Sequence, residues 1–294
     1  ALDHTLYRLR DTEPGQNDSP SRTVPIGSLD ISSTFERITK DSKWLQTLEP
    51  RVLYTYIPFS EQEDLPVFDT IEPNLNIVQL FRRNRFIGLD RLADTNQLAL
   101  GISTRLITAD TGEEFLRATL GQVRYLSTQR VALPDGLPND SSSSDYLVEL
   151  GVRFAKYWRT DVNFQYDSDL SETVRTEARI RYIRDNKRII NASYRFQRDA
   201  LENVDLALAW PIAEHWNFVG RYNFSLETRD PLEEFVGIEY ETCCWAVRGV
   251  WRRYLARRTG ESDTAFSFQF VLKGFSDPGT AAEEFLGRDT LGFQ

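Results

Sequence analysis

Hydrophobic and polar residues alternate along this chain almost without interruption from Asn96 to its end. Residues 216–226, WNFVGRYNFSL, show the pattern clearly: the even-numbered residues are apolar or glycine, and the odd-numbered residues are mostly polar. A period of two places successive side chains on opposite faces of a β-strand. The pattern therefore predicts strands that each have one apolar and one polar face.

The same alternation recurs every ~12 to 16 residues, which predicts an antiparallel meander. In residues 174–183, VRTEARIRYI, the polar face carries Arg175, Glu177, Arg179 and Arg181. Similar segments lie around 146–154, 162–166, 190–196, 204–210 and 266–272. We predict an all-β, antiparallel fold with about 12 to 14 strands.

The connections between the predicted strands are of two kinds. Short connections contain Asp and Asn, which favour turns. They lie at 167–169, 184–186, 198–200 and 229–231. Long connections cover 58–73, 81–95 and the serine-rich stretch 134–144. Short turns at one end of a sheet and long loops at the other are typical of outer-membrane barrels.

Two architectures can use such alternation, and they place the apolar face differently. In a soluble sandwich this face packs inward, whereas in a transmembrane barrel it contacts lipid and the polar face lines a lumen. The predicted strands have about ten residues, and tyrosine and tryptophan recur near their ends, as in interfacial aromatic girdles. Both features favour an antiparallel transmembrane β-barrel, and a soluble β protein is the alternative.

Composition narrows the classes of function. The sequence contains no methionine, so we expect a processed chain or an excised piece whose strands are part of a larger barrel. No run of about 18 apolar residues occurs, which argues against a membrane-spanning helix. The formal net charge of −9 argues against nucleic-acid binding, because such binding depends on neutralising phosphates.

The two cysteines of the chain, Cys243 and Cys244, lie side by side in the stretch ETCCWAV. Neighbouring Cα atoms are about 3.8 Å apart, whereas an unstrained disulfide prefers roughly 5.5 Å. A bond between the two is therefore unfavourable, and we expect partners outside this segment. Packing as small apolar residues and a metal site completed by His4 and His215 are the alternatives.

Catalysis has one candidate base in the body of the chain, His215. Its neighbours Glu214 and Trp216 fit a turn that precedes a strand. The sequence adds no glycine-rich phosphate loop and no constellation of Cys and His with metal-ligand spacing. We therefore expect neither enzymatic activity nor a cofactor.

Six strings are more specific than the general alternation. The most specific are LFRRNRFIGLDRLADTNQL at 80–98 and CCWAVRGVWRRY at 243–254. The others are QTLEPRVLYTYIP (46–58), GQVRYL (121–126), WPIAEHWNFVGRYNF (210–224) and FSFQFVLKGF (266–275). From about residue 23 onward, these strings resemble the C-terminal part of the LptD family, the lipopolysaccharide-assembly proteins of the Gram-negative outer membrane. The resemblance implies barrel strands over 23–275 with a long inserted loop near 80–95, a C-terminal tail over 276–294 and an uncertain segment over 1–22.

The resemblance also implies a function. Family members form a large barrel with a plug lipoprotein (LptE) inside, and their periplasmic N-terminal domain receives lipopolysaccharide from a protein bridge. The lipid passes between the first and last strands while its sugars pass through the lumen. We therefore expect an outer-membrane lipopolysaccharide translocon subunit in contact with outer-membrane lipid. A porin-like passive channel and a soluble glycan-binding β protein are the alternatives.

Individual residues receive roles from the same resemblance. Cys243 and Cys244 match cysteines that form disulfides with partners outside this chain. The last strand, which forms one side of a lateral gate, corresponds to Phe266, Phe268, Phe270, Leu272 and Gly274. The loop that contacts the plug carries Phe81, Arg82, Arg85, Phe86, Gly88, Leu89, Asp90 and Arg91.

The charged strand faces supply a candidate path for anionic sugars, because arginine offers forked hydrogen-bond donors. This path consists of Arg175, Glu177, Arg179, Arg181, Arg195 and Arg221, with Glu149 beside them. A solvated lumen wall with internal ion pairs is the alternative. The arginines of 82–91 also suit an anion site, but the acids and apolar residues among them favour a folded, ion-paired loop.

Overall fold

The computed structural model describes residues 1–10, 17–134, 136–185, 187–255 and 262–272, which form sixteen strands and one short helix. The strands are β1 (Leu2–Leu6), β2 (Ser21–Pro25), β3 (Gly27–Ser32), β4 (Phe35–Ile38), β5 (Trp44–Ile57), β6 (Thr95–Thr108), β7 (Glu114–Tyr125), β8 (Tyr146–Ala155), β9 (Trp158–Asp167), β10 (Glu172–Asp185), β11 (Arg188–Gln197), β12 (Leu201–Ala213), β13 (Trp216–Ser225), β14 (Pro231–Glu241), β15 (Trp245–Leu255) and β16 (Ser262–Leu272). The helix is α1 (Ile77–Leu80).

Fourteen of these strands form one antiparallel sheet. Both β3 and β4 pair with β5, and each strand from β6 to β16 then pairs with the strand before it, while β1 and β2 form a separate hairpin. This arrangement confirms the prediction of an all-β antiparallel fold with about 12 to 14 strands. Among the described residues, no helix is both long and apolar enough to cross a bilayer.

The chain divides into two compact units. Unit 1 comprises residues 1–149 and 165–172, and unit 2 comprises residues 150–164 and 173–294. Each unit contains its own apolar clusters, so each is described by itself.

In unit 1, the faces of the sheet differ as the alternation predicts. β5 pairs with β6 from Trp44 opposite Thr108 to Ile57 opposite Thr95. One face is covered, and its buried residues include Leu53, Ala99 and Val123. The opposite face exposes large apolar side chains, among them Tyr54, Tyr56, Leu100, Ile102 and Leu120.

In unit 2, the same division separates apolar from charged residues. The exposed face carries Leu206 on β12, Tyr222 on β13 and Ile238 on β14. The other face buries Asp205 and Asn217 together with a small apolar cluster. That cluster consists of Ile189, Ala207, Ala209, Val219, Phe235 and Val250. The predicted facing of residues 216–226 is thus confirmed.

Aromatic side chains group at one end of the strands in unit 2. The rings of Trp216 and Tyr240 lie 4.9 Å apart between centroids, and those of Tyr240 and Trp245 lie 5.5 Å apart. Such centroid distances are within the range of favourable aromatic pairs. Three neighbouring strands therefore share one continuous aromatic row.

A tight turn joins β11 to β12 in unit 2. Asp199 takes a left-handed conformation there, with φ of 56°. Asp and Asn tolerate this conformation better than most residues with a Cβ atom. The predicted turn at 198–200 is therefore confirmed.

Candidate functional site

The long connection between β5 and β6, residues 58–94, folds back onto the covered face of unit 1. Its helix α1 begins after Asn76, whose side-chain oxygen accepts a hydrogen bond from the Gln79 backbone N–H at 2.9 Å. Leu80, at the end of α1, is buried among Leu53, Ala99 and Val123. Full burial of a leucine side chain stabilises a fold by roughly 1.5 to 3 kcal/mol, so this contact anchors the connection to the sheet.

Two glycines make that close approach possible. Gly101 on β6 and Gly121 on β7 are cross-strand partners on the covered face. A Cβ added to Gly101 would lie 2.6 Å from the ring of Phe81, and one added to Gly121 would overlap Leu80. The absence of two side chains therefore creates the space that the connection occupies.

Asp90 is the acidic centre of the connection. Its carboxylate accepts hydrogen bonds from the backbone N–H groups of Phe68 at 2.7 Å and Asp69 at 2.8 Å, and from the Tyr7 hydroxyl at 3.0 Å. Burial alone would raise the pKa of Asp90, but the hydrogen bonds outweigh burial and lower it from 3.8 to about 2. Burial and the bond to Asp90 raise the pKa of Tyr7 from 10.0 to about 12.

Arg22 ties the β1–β2 hairpin to the same connection. Its guanidinium donates to the Gln62 side chain at 2.6 Å, to the Asp90 carbonyl at 3.0 Å and to the Leu89 carbonyl at 3.1 Å. It also forms a 2.9 Å ion pair with Asp3. The hairpin, residues 1–10 and 17–26, and the connection, residues 58–94, form one hydrogen-bonded layer, which we term the cap.

The β7–β8 connection joins the cap through Arg85 and Asp94. Arg85 donates to the Gln129 side chain at 2.7 Å and to the Val131 carbonyl. Asp94 accepts hydrogen bonds from the backbone N–H groups of Arg130 and Val131, each at 2.9 Å. Three segments that are distant in sequence are therefore fixed against each other.

Gly88 satisfies a backbone requirement of the cap. Its φ is +109°, a conformation that residues with a side chain rarely adopt. A Cβ atom there would also lie 2.7 Å from the Asp69 carbonyl oxygen. Both observations exclude a larger residue without local rearrangement.

All of the predicted plug-contact residues lie in the cap. Phe86, Asp90 and Arg91 are buried, whereas Arg82 and Leu89 are exposed. Phe81 lies beneath the Arg51 guanidinium, whose carbon is 4.4 Å from the ring centroid. The exposed pair marks the outer surface of the cap.

Tyr7, Arg22 and Gln62 complete the cap, and the sequence alone did not predict them. Residues 1–22 received no role, and the partners of Arg22 lie as much as 68 residues away in the sequence. The only local signal was the alternation of SRTVP in β2, whose burial pattern alternates between exposed and buried residues.

Among the predicted sugar-path residues in unit 2, Arg221 pairs with two carboxylates. It binds Asp205 at 2.6 Å and Glu233 at 2.9 Å, and Glu233 also pairs with Arg252 at 2.7 Å. Arg195 lies 4.0 Å from Asp205. These contacts link five neighbouring strands, β11 to β15, by side-chain ion pairs.

The other predicted path residues lie on β10. Arg181 pairs with Asp161 on β9 at 2.7 Å. Arg179 lies opposite Ser193, Glu177 opposite Arg195 and Arg175 opposite Gln197 in the β10–β11 register. All four charged residues therefore share the face that carries Asn191 and Arg195.

A second polar ladder, which the sequence did not single out as a site, crosses β13 to β16. The Asn217 side chain donates to Glu239 at 3.1 Å, Glu239 forms a buried ion pair with Arg248, and Arg248 donates to Gln269 at 3.2 Å. The only sequence signal was the presence of these residues at alternate positions. Pairing across strands becomes visible only once the register is known.

The predicted gate strand lies at one margin of the described sheet. β16 pairs with β15 from Trp245 opposite Leu272 to Leu255 opposite Ser262, and its other edge has no partner strand among the described residues. Phe266, Phe268 and Phe270 are highly exposed, Phe268 by 85%. Leu272 is also exposed, and the predicted Gly274 lies outside the described residues.

Cys243 and Cys244 lie in the turn between β14 and β15. Both thiols are exposed, and the sulphur atoms are 2.8 Å apart. The turn is closed by Thr242, which donates from its backbone N–H to the Trp245 carbonyl at 2.9 Å and from its hydroxyl at 3.0 Å. Both thiols are thus presented at the end of a hairpin.

Comparison with known proteins gives consistent matches. The family model described as LptD, LPS transport system D, matches residues 1–216. LPS-assembly protein LptD of Nitrosococcus oceani is 38% identical over 291 residues, covering 98% of this chain and 39% of the relative. LPS-assembly protein LptD of Thiobacillus denitrificans is 36% identical over 293 residues, covering 99% of this chain and 40% of the relative.

The chain spans about two fifths of the length of these relatives. Among solved structures, a mutant of Rh. blastica porin covers 92% of this chain and 100% of its own, at 10% identity and a TM-score of 0.34. A structural likeness at that level carries no argument about fold or function.

Proposed function

The chain belongs to the LptD family of lipopolysaccharide-assembly proteins, and from this premise we propose that it forms part of the outer-membrane wall through which lipopolysaccharide reaches the outer leaflet. The lipid portion moves within the membrane along the apolar strand face. The sugar portion moves along the charged face. The chain performs no covalent chemistry in this process.

The single observation that carries the proposal is the division of the sheet in unit 2. Leu206, Tyr222 and Ile238 are exposed on one face, whereas Asp205 and Arg221 form an ion pair on the other. A membrane-spanning barrel requires this combination, because lipid solvates the apolar face and a hydrated lumen solvates the charged face. The proposed location is the bacterial outer membrane.

The lateral gate lies at β16 in this proposal. Phe266, Phe268 and Phe270 present a continuous apolar row beside the margin of the described sheet. An opening in a membrane wall requires a seam of weak strand pairing, since breaking backbone hydrogen bonds in lipid is costly. Acyl chains follow this row, which Leu272 continues.

The remaining roles concern partners of the full-length protein. The cap faces the plug lipoprotein, which contacts Arg82 and Leu89 at its exposed surface. Cys243 and Cys244 form disulfides with an N-terminal periplasmic domain, which receives lipopolysaccharide from the protein bridge. The position of both thiols in a turn supports this role, because adjacent residues within a strand would point to opposite faces.

Photocrosslinking in the full-length protein tests the gate. A photoreactive phenylalanine analogue at Phe270 is expected to capture newly synthesised, pulse-labelled lipopolysaccharide, and to do so earlier than the same analogue at Tyr222, an exposed residue of β13. A porin-like passive channel predicts no early adduct at Phe270. The absence of an adduct at every position of β16 would overturn the gate assignment.

Solubility tests the membrane assignment itself. The full-length protein is expected to remain folded only in detergent or lipid, because its exposed face is apolar. A monodisperse, folded protein in plain buffer would support a soluble glycan-binding β protein instead.

A further inference from the structure

Unit 1 contains a cavity that no role described above uses. Its volume is about 550 Å³, within the range of roughly 300 to 1,000 Å³ that small-molecule sites occupy. Three stretches line it: the start of the β5–β6 connection, Arg91 near its end, and residues 130–134 of the β7–β8 connection together with Gly136 and Pro138. The cavity therefore lies where the two long connections of unit 1 meet.

Arg91 supplies a buried positive charge to the cavity wall. Only 5% of this residue is exposed, and its guanidinium donates to the carbonyl oxygens of Leu65 at 2.9 Å and of Pro66 at 3.4 Å. Among the described residues, no carboxylate lies within ion-pair distance of it. Because the Arg91 guanidinium is buried and has lost contact with water, its pKa is lowered. A ligand with a negative group would improve the solvation of that charge.

Arg130 supplies a second guanidinium, held flat on an aromatic ring. Its guanidinium carbon lies 3.7 Å from the ring centroid of Phe59, and its side chain remains 59% exposed. Its nearest carboxylate, that of Asp94, is at 3.9 Å, too long for a hydrogen bond. The forked donors of Arg130 are therefore oriented yet available to a ligand.

The cavity also contains acceptors. Glu61 and Glu63 both line it, so that two carboxylates accompany two guanidinium groups. One oxygen of Glu61 accepts hydrogen bonds from the backbone N–H groups of Gln62 and Glu63, at 3.1 and 3.3 Å. A site for a bare anion would not place carboxylates beside the anion. A ligand rich in hydroxyl groups uses donors and acceptors together.

The walls of the cavity are fixed before any ligand binds. Gln62 is buried and donates to the Leu92 carbonyl at 2.8 Å. The carboxylate of Asp94 holds the backbone of Arg130 and Val131 through 2.9 Å hydrogen bonds. A preformed site loses little conformational freedom on binding.

We propose that this cavity binds an acidic saccharide, with the acidic group on Arg91 and Arg130 and the ring hydroxyls on Glu61 and Glu63. This inference rests on the proposed function, because it assigns the sugar portion of lipopolysaccharide a docking point in the long connections. The same chemistry is present in a free sugar acid. The test must therefore distinguish the two sources.

Binding is measured by calorimetry on the full-length protein in detergent. The probes are core oligosaccharide released from lipopolysaccharide by mild acid, D-glucuronic acid, D-glucose and inorganic phosphate. The oligosaccharide and glucuronic acid are expected to bind at least about tenfold more tightly than glucose or phosphate, because only they offer both an acidic group and hydroxyls. Tighter binding of the oligosaccharide assigns the lipopolysaccharide core as the source, and equal binding assigns a free sugar acid.

Two variants place the site. Arg91→Gln is expected to weaken binding of the oligosaccharide by about tenfold or more, and Arg130→Gln by a similar factor. Because Arg91 is buried and its loss can unfold the cap, the exposed Arg130 variant keeps the test decisive. Arg124→Gln, an exposed arginine of β7 outside the cavity, is the matched control and should bind as the unaltered protein does.

Three outcomes overturn the inference. Phosphate that binds as tightly as the acidic saccharides would indicate a simple anion site. If Arg130→Gln binds the saccharide as tightly as the unaltered protein, the saccharide does not bind in this cavity. If the unaltered protein binds no saccharide, the proposal is wrong. The lipopolysaccharide adduct at Phe270 is measured separately from saccharide binding. If saccharide does not bind but the adduct forms, only the cavity proposal is contradicted. If saccharide binds but no adduct forms, only the gate proposal is contradicted.

Discussion

Gly101 of β6 and Gly121 of β7 lie directly opposite each other, and Phe81 and Leu80 fill the space in front of them. Neither glycine has a positive φ among the described residues, so backbone freedom does not explain them. Their common property is the absence of a side chain on the covered face. The position of the β5–β6 connection is therefore set by two gaps in the sheet.

Substitution of Gly121 by alanine should loosen the cap. The new Cβ would overlap Leu80, and overpacking of this kind typically costs about 1 to 3 kcal/mol. Limited proteolysis within residues 58–94 of the full-length protein should become faster. Leu80→Ala in the same molecule should relieve the overlap, so the two effects should be less than additive. Gly27→Ala, which meets its nearest neighbour at an ordinary 3.7 Å, is the control.

The stability of the cap should depend on pH at both extremes. The lowered pKa of Asp90 gives a contribution that is present above its ordinary value of 3.8 and is lost as pH falls towards about 2. The raised pKa of Tyr7 gives a contribution that is present below 10.0 and is lost as pH rises towards about 12. Hydrogen exchange of the Phe68 and Asp69 amides, corrected for its intrinsic pH dependence, measures both.

Single variants separate the loss of cap stability at low pH from the loss at high pH. Tyr7→Phe should abolish the loss of cap stability at high pH. Most of the loss at low pH should remain, because the amides of Phe68 and Asp69 still hold the Asp90 carboxylate. Asp90→Asn should abolish the loss of cap stability at low pH. If this variant still loses stability at low pH, another carboxylate is responsible.

The buried Glu239–Arg248 pair should be more sensitive to loss of one partner than to loss of both. Arg248→Met leaves Glu239 as an uncompensated buried charge, at a cost of ~3 to 5 kcal/mol, whereas the double change with Glu239→Leu removes both charges. The temperature at which the barrel loses its compact electrophoretic mobility reports the difference. Arg252→Met, at an ion pair that is half exposed, should shift that temperature much less.

The cysteine turn should matter for assembly and not for strand content. Replacement of both Cys243 and Cys244 by serine in the full-length protein should leave the circular dichroism of the strands unchanged, because the two thiols lie outside β14 and β15. Maturation of the full-length protein in cells should be slower. Normal maturation of this double variant would contradict the proposed disulfides.

The sequence predicts the strands of this protein well, because the alternation that specifies a strand lies within a few neighbouring residues. In residues 216–226 the alternation specifies the element and the facing of each side chain at once. Adjacent side chains of a strand point to opposite faces, so a turn is the position from which Cys243 and Cys244 can point the same way.

The cap is much less predictable, because its contacts join distant positions. Gly101 and Gly121 become informative only as register partners, and Arg22 binds carbonyls of residues 89 and 90. The cavity requires, in addition, that Arg91 and Arg130 come together from two different connections. No period or short motif records such contacts.

The aromatic row of Trp216, Tyr240 and Trp245 lies directly beside the cysteine turn, since Trp245 follows Cys244 in the chain. Tryptophan and tyrosine favour the level of the lipid headgroups. In a bilayer the row would therefore fix the depth of the cysteine turn, and both sulphur atoms would stay at a constant distance from the acyl chains. A domain bonded to these sulphur atoms would be held at a fixed distance from the membrane surface. The three aromatic rings would set that distance.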